Sequence, residues 1–167
     1  MRKNKKRNHQ KHPVPNHKYK DRLFRLVFNN KKDLLDLYNA LNNTCYENPN
    51  DLEVNTLEDA VYLSMKNDIS FLIGGTLNLY EHQSTYNPNM PLRGLIYLAR
   101  LYDGYVETEN INLYSSTLKK LPIPQYFVFY NGTKEQPDET ILRLTDAFES
   151  VSDNRQPCLQ CTAVMLN

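Results

Sequence analysis

Two carboxylates, Asp68 and Glu81, lie on either side of a segment whose sequence predicts a β-hairpin. Its two apolar-rich runs are joined by Gly74-Gly75, and this pair favours a two-residue turn because such turns need positive φ. Pairing of the strands directly across that turn would place Asp68 opposite Glu81. Because side chains alternate along a strand, Gln83 would share the face of both carboxylates.

The repulsion between the opposed carboxylates must be offset, since like charges that face each other destabilise a sheet. A cation, a shared proton or open solvent would reduce this repulsion, and of these a divalent metal ion would also support chemistry. The alternative is that Asp68 and Glu81 lie at the hydrated end of the hairpin, where charged side chains are usually found. A three-residue turn would shift the register by one residue and separate the pair.

A longer motif runs from Tyr80 to Gly94, with the sequence YEHQSTYNPNMPLRG, and follows Asn67-Asp68. It resembles the active-site pattern of the PD-(D/E)XK nuclease superfamily, and in particular the Rpn family of recombination-promoting nucleases and transposases of bacteria. Segments 21–28 and 126–132 are similar to the same family, so that the resemblance spans roughly residues 18–167. It implies an α/β fold with a restriction-endonuclease-like αβββαβ core, in which helices flank a mixed sheet.

The resemblance also implies a site. Asp68 and Glu81 would bind Mg²⁺ or Mn²⁺, the backbone carbonyl of His82 would be a further ligand, and Gln83 would orient the attacking water. Oxygen ligands of this kind suit Mg²⁺, which keeps several of its waters. A third acidic ligand often comes from an early helix in this superfamily, and the sequence does not choose between two candidates, Asp21 and Glu58.

Gln83 stands where the superfamily usually has lysine, although the Rpn family is similar to this chain in having glutamine. A glutamine can orient water by hydrogen bonding, but it supplies neither positive charge nor a proton. Lys66 would lie across from Gln83 in the assumed register and could supply the cation, or it is a solvated lysine. Arg93 is expected to reach a DNA phosphate or an active-site carboxylate, and a plain surface arginine is the alternative.

The charge of the chain is divided sharply along its length. Residues 1–20 hold eight Lys or Arg and no acid, whereas residues 21–167 hold twelve basic and nineteen acidic residues. An arm with this many basic and polar residues cannot form a core and is expected to be disordered. One interpretation is that the arm contacts the DNA backbone through basic residues that include Lys3, Lys5, Lys6 and Arg7. The alternative is that the arm only makes the chain more soluble. The remaining length suits one domain.

No apolar run is as long as a membrane span, and the short run near the basic start does not form a signal peptide. The chain is therefore predicted to have no membrane partner and to be cytoplasmic, while homo-oligomerisation is left open. The three cysteines are too sparse for a disulfide scaffold. A last apolar strand is predicted over 158–166, and the chain ends at or just after it. Members of the family that the chain resembles continue beyond this point. The chain is therefore predicted to be shortened or truncated at its C-terminus.

Helices are predicted over 21–28, 31–41 and 91–107, and a central strand over 124–130. The helix over 91–107 would pack on the sheet through one apolar stripe, with Arg93, Tyr97 and Arg100 partly off it; the stripe consists of Leu92, Leu95, Ile96, Leu98, Ala99 and Leu101. The predicted function is a metal-dependent DNA endonuclease associated with recombination or mobile elements. The alternative is a catalytically inactive DNA-binding or assembly subunit of a mobile element.

Overall fold

The computed structural model describes Phe24, Phe28 and residues 30–54, 68–149 and 156–167. These residues form a mixed α/β structure in which a six-stranded sheet has a helix on each face. The helices are α1 (Lys31–Asn42) and α2 (Met90–Thr108). The strands are β1 (Glu53–Val54), β2 (Ile69–Ile73), β3 (Thr76–Gln83), β4 (Ile123–Tyr130), β5 (Glu139–Arg143) and β6 (Thr162–Leu166).

The sheet has the strand order β1-β2-β3-β4-β6-β5. The first three strands form an antiparallel meander, β3, β4 and β6 are parallel, and β5 is an antiparallel edge strand. The predicted central position of β4 is confirmed, and its apolar sequence suits a strand that is covered on both faces. Strand β5 was not predicted, because only Leu142 of its five side chains is buried and the pattern is weak.

The hairpin of β2 and β3 has the predicted register. Ile73 pairs with Thr76, and the pairing continues to Ile69 with Tyr80. Gly74 and Gly75 adopt φ of 54° and 80°. Positive φ at both central positions is the requirement of a type I′ turn, whose twist matches that of the strands.

The two turn glycines are expected to differ in their tolerance of alanine. Gly75→Ala should lower the free energy of unfolding by about 1 kcal/mol, because an L residue is strained at positive φ. Gly74→Ala should cost about 2–3 kcal/mol, because its Cβ would also overlap the Tyr46 hydroxyl. Urea unfolding of both variants measures the difference, and equal losses would contradict the packing argument.

Helix α1 covers one face of the sheet and matches its predicted range to within a residue. The Asn30 side chain accepts a hydrogen bond from the Lys32 backbone N–H at 3.0 Å and so caps the first turn. Leu34, Leu35 and Tyr38 are its buried side chains. They belong to an apolar cluster on this face that also includes Leu52, Phe71 and Tyr80.

Helix α2 covers the opposite face, but the predicted stripe is partly wrong. Leu92 and Ile96 are 47% and 45% exposed, whereas Gly94 and Tyr97 are buried. The reason is the close approach at Gly94, where a Cβ would overlap the ring of Tyr126 in β4. This contact sets the rotation of α2, so that the helix faces the sheet with residues spaced three and four apart: Gly94, Tyr97, Leu98 and Leu101.

The last strand begins at Thr162 and not at Cys158, so that the predicted start is wrong. Just before the strand, the Cys161 carbonyl accepts a hydrogen bond from the Leu144 N–H at 2.9 Å and is not paired in the sheet ladder.

No helix among the described residues is both long and apolar enough to cross a membrane. The predicted arm, 1–20, and most of the predicted first helix, 21–28, lie outside the described residues.

Candidate functional site

Glu81 lies on the face of the sheet that α2 covers, and its side chain is fully buried, with 0% exposure. Asp68 is half-buried and immediately precedes β2, where continuation of the register from Ile69 and Tyr80 places it opposite Glu81. The hydrated interpretation of this pair is therefore wrong for Glu81. A buried carboxylate needs a countercharge or several hydrogen bonds, because the loss of hydration is costly.

Three side chains bind the carboxylate of Glu81. Arg93 forms an ion pair with Oε1, and the Gln83 amide nitrogen donates to the same oxygen at 2.9 Å. The Tyr126 hydroxyl donates to Oε2 at 2.5 Å, a length typical of a hydroxyl bound to a charged carboxylate. The donors come from α2, β3 and β4, so that the site joins three elements.

Arg93 comes from the first turn of α2 and is itself held by Tyr97, one turn further along the helix. Its Nη2 donates to the Tyr97 hydroxyl at 3.2 Å, and its guanidinium carbon lies 5.6 Å from the Tyr97 ring centroid. Of the two partners expected for Arg93, a phosphate or a carboxylate, the structure contains the carboxylate of Glu81. A guanidinium thus supplies the positive charge beside the two acids.

The titration of these groups follows from burial and from their mutual contacts. Burial raises the pKa of Glu81, while Arg93, Tyr126 and Gln83 act in the opposite direction by favouring the carboxylate. Burial alone would lower the pKa of Arg93, but Glu81, Tyr97 and Asp68 raise it above its ordinary value. Arg93 therefore stays charged.

Tyr126 remains a hydrogen-bond donor because burial, followed by the Glu81 charge and hydrogen bond, raises its pKa far above the ordinary value. Asp68 contributes to the same shift and to that of Arg93, which places its charge near both side chains.

Sequence reasoning missed Tyr126 as a member of the site. A signal was present, because a tyrosine in an apolar strand must find a partner for its hydroxyl when it is buried. Tyr126 pairs in register with Leu79, two residues before Glu81 on the same face. What the sequence lacked was the adjacency of β3 and β4, without which Tyr126 has no assigned neighbour.

A divalent metal ion fits the donor chemistry of the site, but it would have a competitor. Asp68 and Glu81 offer the oxygen ligands that Mg²⁺ prefers, and one or two carboxylates are an ordinary number for that ion. Within the ranges that the structure describes, no group of three or more His, Cys, Asp or Glu side chains could hold a metal. Both oxygens of Glu81 are already bound, so that an ion at Oε1 would have to displace Arg93.

The remaining predicted residues are distributed as follows. Gln83 is half-buried at the end of β3, and its carbonyl accepts from the Asn131 N–H at 3.0 Å. The His82 side chain lies on the opposite face, with its ring centroid 5.5 Å from that of Phe24. The other candidates lie outside the described residues: Asp21, Glu58, Lys66, Lys3, Lys5, Lys6 and Arg7.

Comparison of the chain with protein-family models, curated proteins and solved structures finds no match.

Proposed function

We propose that the protein is a metal-dependent DNA endonuclease of the PD-(D/E)XK type, which hydrolyses phosphodiester bonds with Mg²⁺ or Mn²⁺. The observation that carries the proposal is the buried Glu81 carboxylate, which has Asp68 opposite it and Gln83 beside it. Gln83 and Arg93 contact the Glu81 carboxylate directly. The hairpin register, continued by one residue from Ile69 and Tyr80, sets Asp68 opposite Glu81.

The order of the elements supports the same proposal. Helix α1 is followed by the three-stranded meander, then by α2 and the parallel strand β4. Among the described elements, this order is compatible with the αβββαβ core that the resemblance to PD-(D/E)XK nucleases implies. Fold alone does not imply activity, so the chemistry has to come from the side chains of the site.

Asp68 and Glu81 would hold the ion, with the His82 carbonyl as a further ligand. A bound Mg²⁺ or Mn²⁺ supplies a water of lowered pKa and neutralises charge on the phosphate. Gln83 uses its amide nitrogen on Glu81, so its carboxamide oxygen is the atom that would accept a hydrogen bond from the attacking water. Tyr126 acts through Glu81 as a positioning residue.

Arg93 would change partners when DNA binds. Its side chain is 33% exposed, so the guanidinium is accessible from solvent while it holds Glu81. A guanidinium binds phosphate oxygens as well as carboxylates, in the same planar geometry. Release of Glu81 to the metal and capture of a phosphate by Arg93 would preserve the charge balance of the site.

Nicking of supercoiled plasmid by the purified full chain tests the proposal. We expect nicking that depends on Mg²⁺ or Mn²⁺ and stops with EDTA. Asp68→Asn and Glu81→Gln should each lower the rate by about 100-fold or more, as for loss of a group that stabilises transition-state charge. Asp103→Asn is the matched control, because Asp103 is exposed on α2. Unchanged nicking in the Asp68 and Glu81 variants would show that the activity comes from elsewhere.

A second function is favoured by one observation: Arg93 and Tyr126 already bind both oxygens of Glu81. A site that stays in this state would belong to a DNA-binding or assembly subunit without catalysis. This alternative predicts a folded protein that does not nick plasmid with any divalent metal. It would still bind a labelled duplex in an anisotropy titration and would lose most of that affinity when residues 1–20 are deleted.

A further inference from the structure

The segment that follows α2 exposes an unusual amount of apolar surface. Tyr114 is 99% exposed, Leu118 is 80% exposed, and three further large side chains of the same stretch are also exposed: Leu113, Leu121 and Ile123. Single exposed apolar residues are ordinary on a protein surface. A cluster drawn from one short segment marks an interaction site more often than it marks chance.

This segment is tied to the end of α2 at both of its ends. At its start, the Ile111 N–H donates to the Val106 carbonyl at 2.9 Å. At its end, the Tyr102 hydroxyl of α2 donates to the Pro122 carbonyl at 2.7 Å. The stretch between them is a loop with close ends, and its side chains are therefore confined to the region around the last turns of α2.

Local turns hold the apolar side chains outward. The Tyr114 N–H donates to the Asn112 side chain at 3.0 Å, and the Ser115 N–H donates to the Asn112 carbonyl at 3.2 Å. These bonds define the backbone on both sides of Tyr114 without burying its ring. The backbone of this ordered turn has little conformational entropy left to lose on binding, so that ordering the side chain is the main entropic cost.

Opposite charges are separated along this segment of the chain. Glu107 and Glu109 precede it at the end of α2, and Lys119 and Lys120 lie within its second half; all four are exposed. A segment with acidic residues at its start and lysines near its end can pair, glutamate to lysine, with a copy of itself that runs in the opposite direction. Such self-complementarity is the requirement of a two-fold, isologous interface.

We propose that segment 107–123 is the interface of a homodimer with two-fold symmetry. In this dimer, Tyr114 and Leu118 of each copy pack at the centre. The glutamates at one end face Lys119 and Lys120 of the partner subunit. The proposal is independent of nuclease activity, because it rests only on the exposure, the charges and the loop geometry of this segment.

Sedimentation velocity of the full chain over a range of concentrations measures the association. We expect a dimer that Tyr114→Ser and Leu118→Ser each weaken by at least about tenfold, the effect of removing a central interface side chain. Both side chains are highly exposed, so the variants should fold, which circular dichroism confirms. Leu92→Ser on α2 is the control and should not alter the dimer. A chain that is monomeric throughout, or a dimer that Tyr114→Ser leaves unchanged, would overturn the proposal.

Charge reversal separates a two-fold contact from any other mode of association. Glu107→Lys with Glu109→Lys makes the interface wholly basic, and Lys119→Glu with Lys120→Glu makes it wholly acidic. Each double variant alone should be weakened by repulsion, and an equal mixture of the two should form a heterodimer at least as strong as the parent dimer at low salt. Failure of the mixture to restore association would overturn the proposed pairing.

Discussion

Replacement of Arg93 by alanine is expected to lower the free energy of unfolding by about 2–4 kcal/mol, because the fully buried carboxylate of Glu81 would lose its cation. This loss of stability should be smaller than the loss on breaking a fully buried ion pair. Arg93 is 33% exposed, and Tyr126 and Gln83 would still donate to Glu81. Urea unfolding of the full chain measures it.

A neutral partner provides the internal control for this prediction. In a Glu81→Gln background, Arg93→Ala should cost clearly less than in the parent, because the buried group then carries no charge. Arg143→Ala removes an exposed arginine from β5 and should change stability by less than about 0.5 kcal/mol. If Arg93→Ala is as mild as Arg143→Ala, the ion pair contributes little and the buried carboxylate is satisfied by other means.

The same variant connects stability with metal binding. If Asp68 and Glu81 bind Mn²⁺, the ion can replace the missing guanidinium as the countercharge. Arg93→Ala should therefore bind Mn²⁺ more tightly than the parent does. For this reason Mn²⁺ should raise the midpoint of urea unfolding more in the variant than in the parent. This measurement needs no DNA, and equal responses to Mn²⁺ would argue against competition between Arg93 and a metal.

Gly94→Ala is the second substitution with a large expected effect. The added Cβ would overlap the Tyr126 ring, which is only 3% exposed and is fixed by its hydrogen bond to Glu81. Overpacking of this kind should lower the free energy of unfolding by about 2–4 kcal/mol, even though alanine is the better helix former.

Gly104 is the matched control for Gly94, because it lies in the same helix and an added Cβ would meet no atom within 4 Å. Gly104→Ala should stabilise the protein by about 1 kcal/mol through helix propensity alone. Gly94→Ala should cost less in a Tyr126→Leu background than in the parent, since the obstructing ring is absent there. Equal stability of the two alanine variants would mean that α2 can shift away from β4 without cost.

The features that were predicted correctly depend on local sequence. The type I′ turn follows from Gly74-Gly75, and helix α1 follows from apolar residues three and four apart. Strand β4 follows from a nearly continuous apolar run. Each of these signals lies within a dozen residues, so no knowledge of the tertiary arrangement was needed to use it.

The features that were missed depend on distant contacts. The rotation of α2 is set by the close contact of Gly94 with the Tyr126 ring, and nothing in the sequence near either residue predicts that contact. The hairpin predicted that a cation, a shared proton or solvent must offset the repulsion between Asp68 and Glu81, but the position of Arg93 on Glu81 depends on that rotation. The edge strand β5 carries too little apolar pattern to be recognised before β6 is placed beside it.

The three-element construction of the site bears on how it is assembled during folding. The widest pair in the β2–β3 hairpin, Ile69 with Tyr80, closes a short loop, whereas the bond from Tyr126 to Glu81 joins residues 45 positions apart. The chain entropy lost on closing a loop grows with its length, so the hairpin contacts are the less costly to form. A chain that has formed only the hairpin therefore already has Asp68 and Glu81 next to its last pair, Ile69 with Tyr80. Desolvation of Glu81 has to wait until α2 and β4 bring Arg93 and Tyr126 to it.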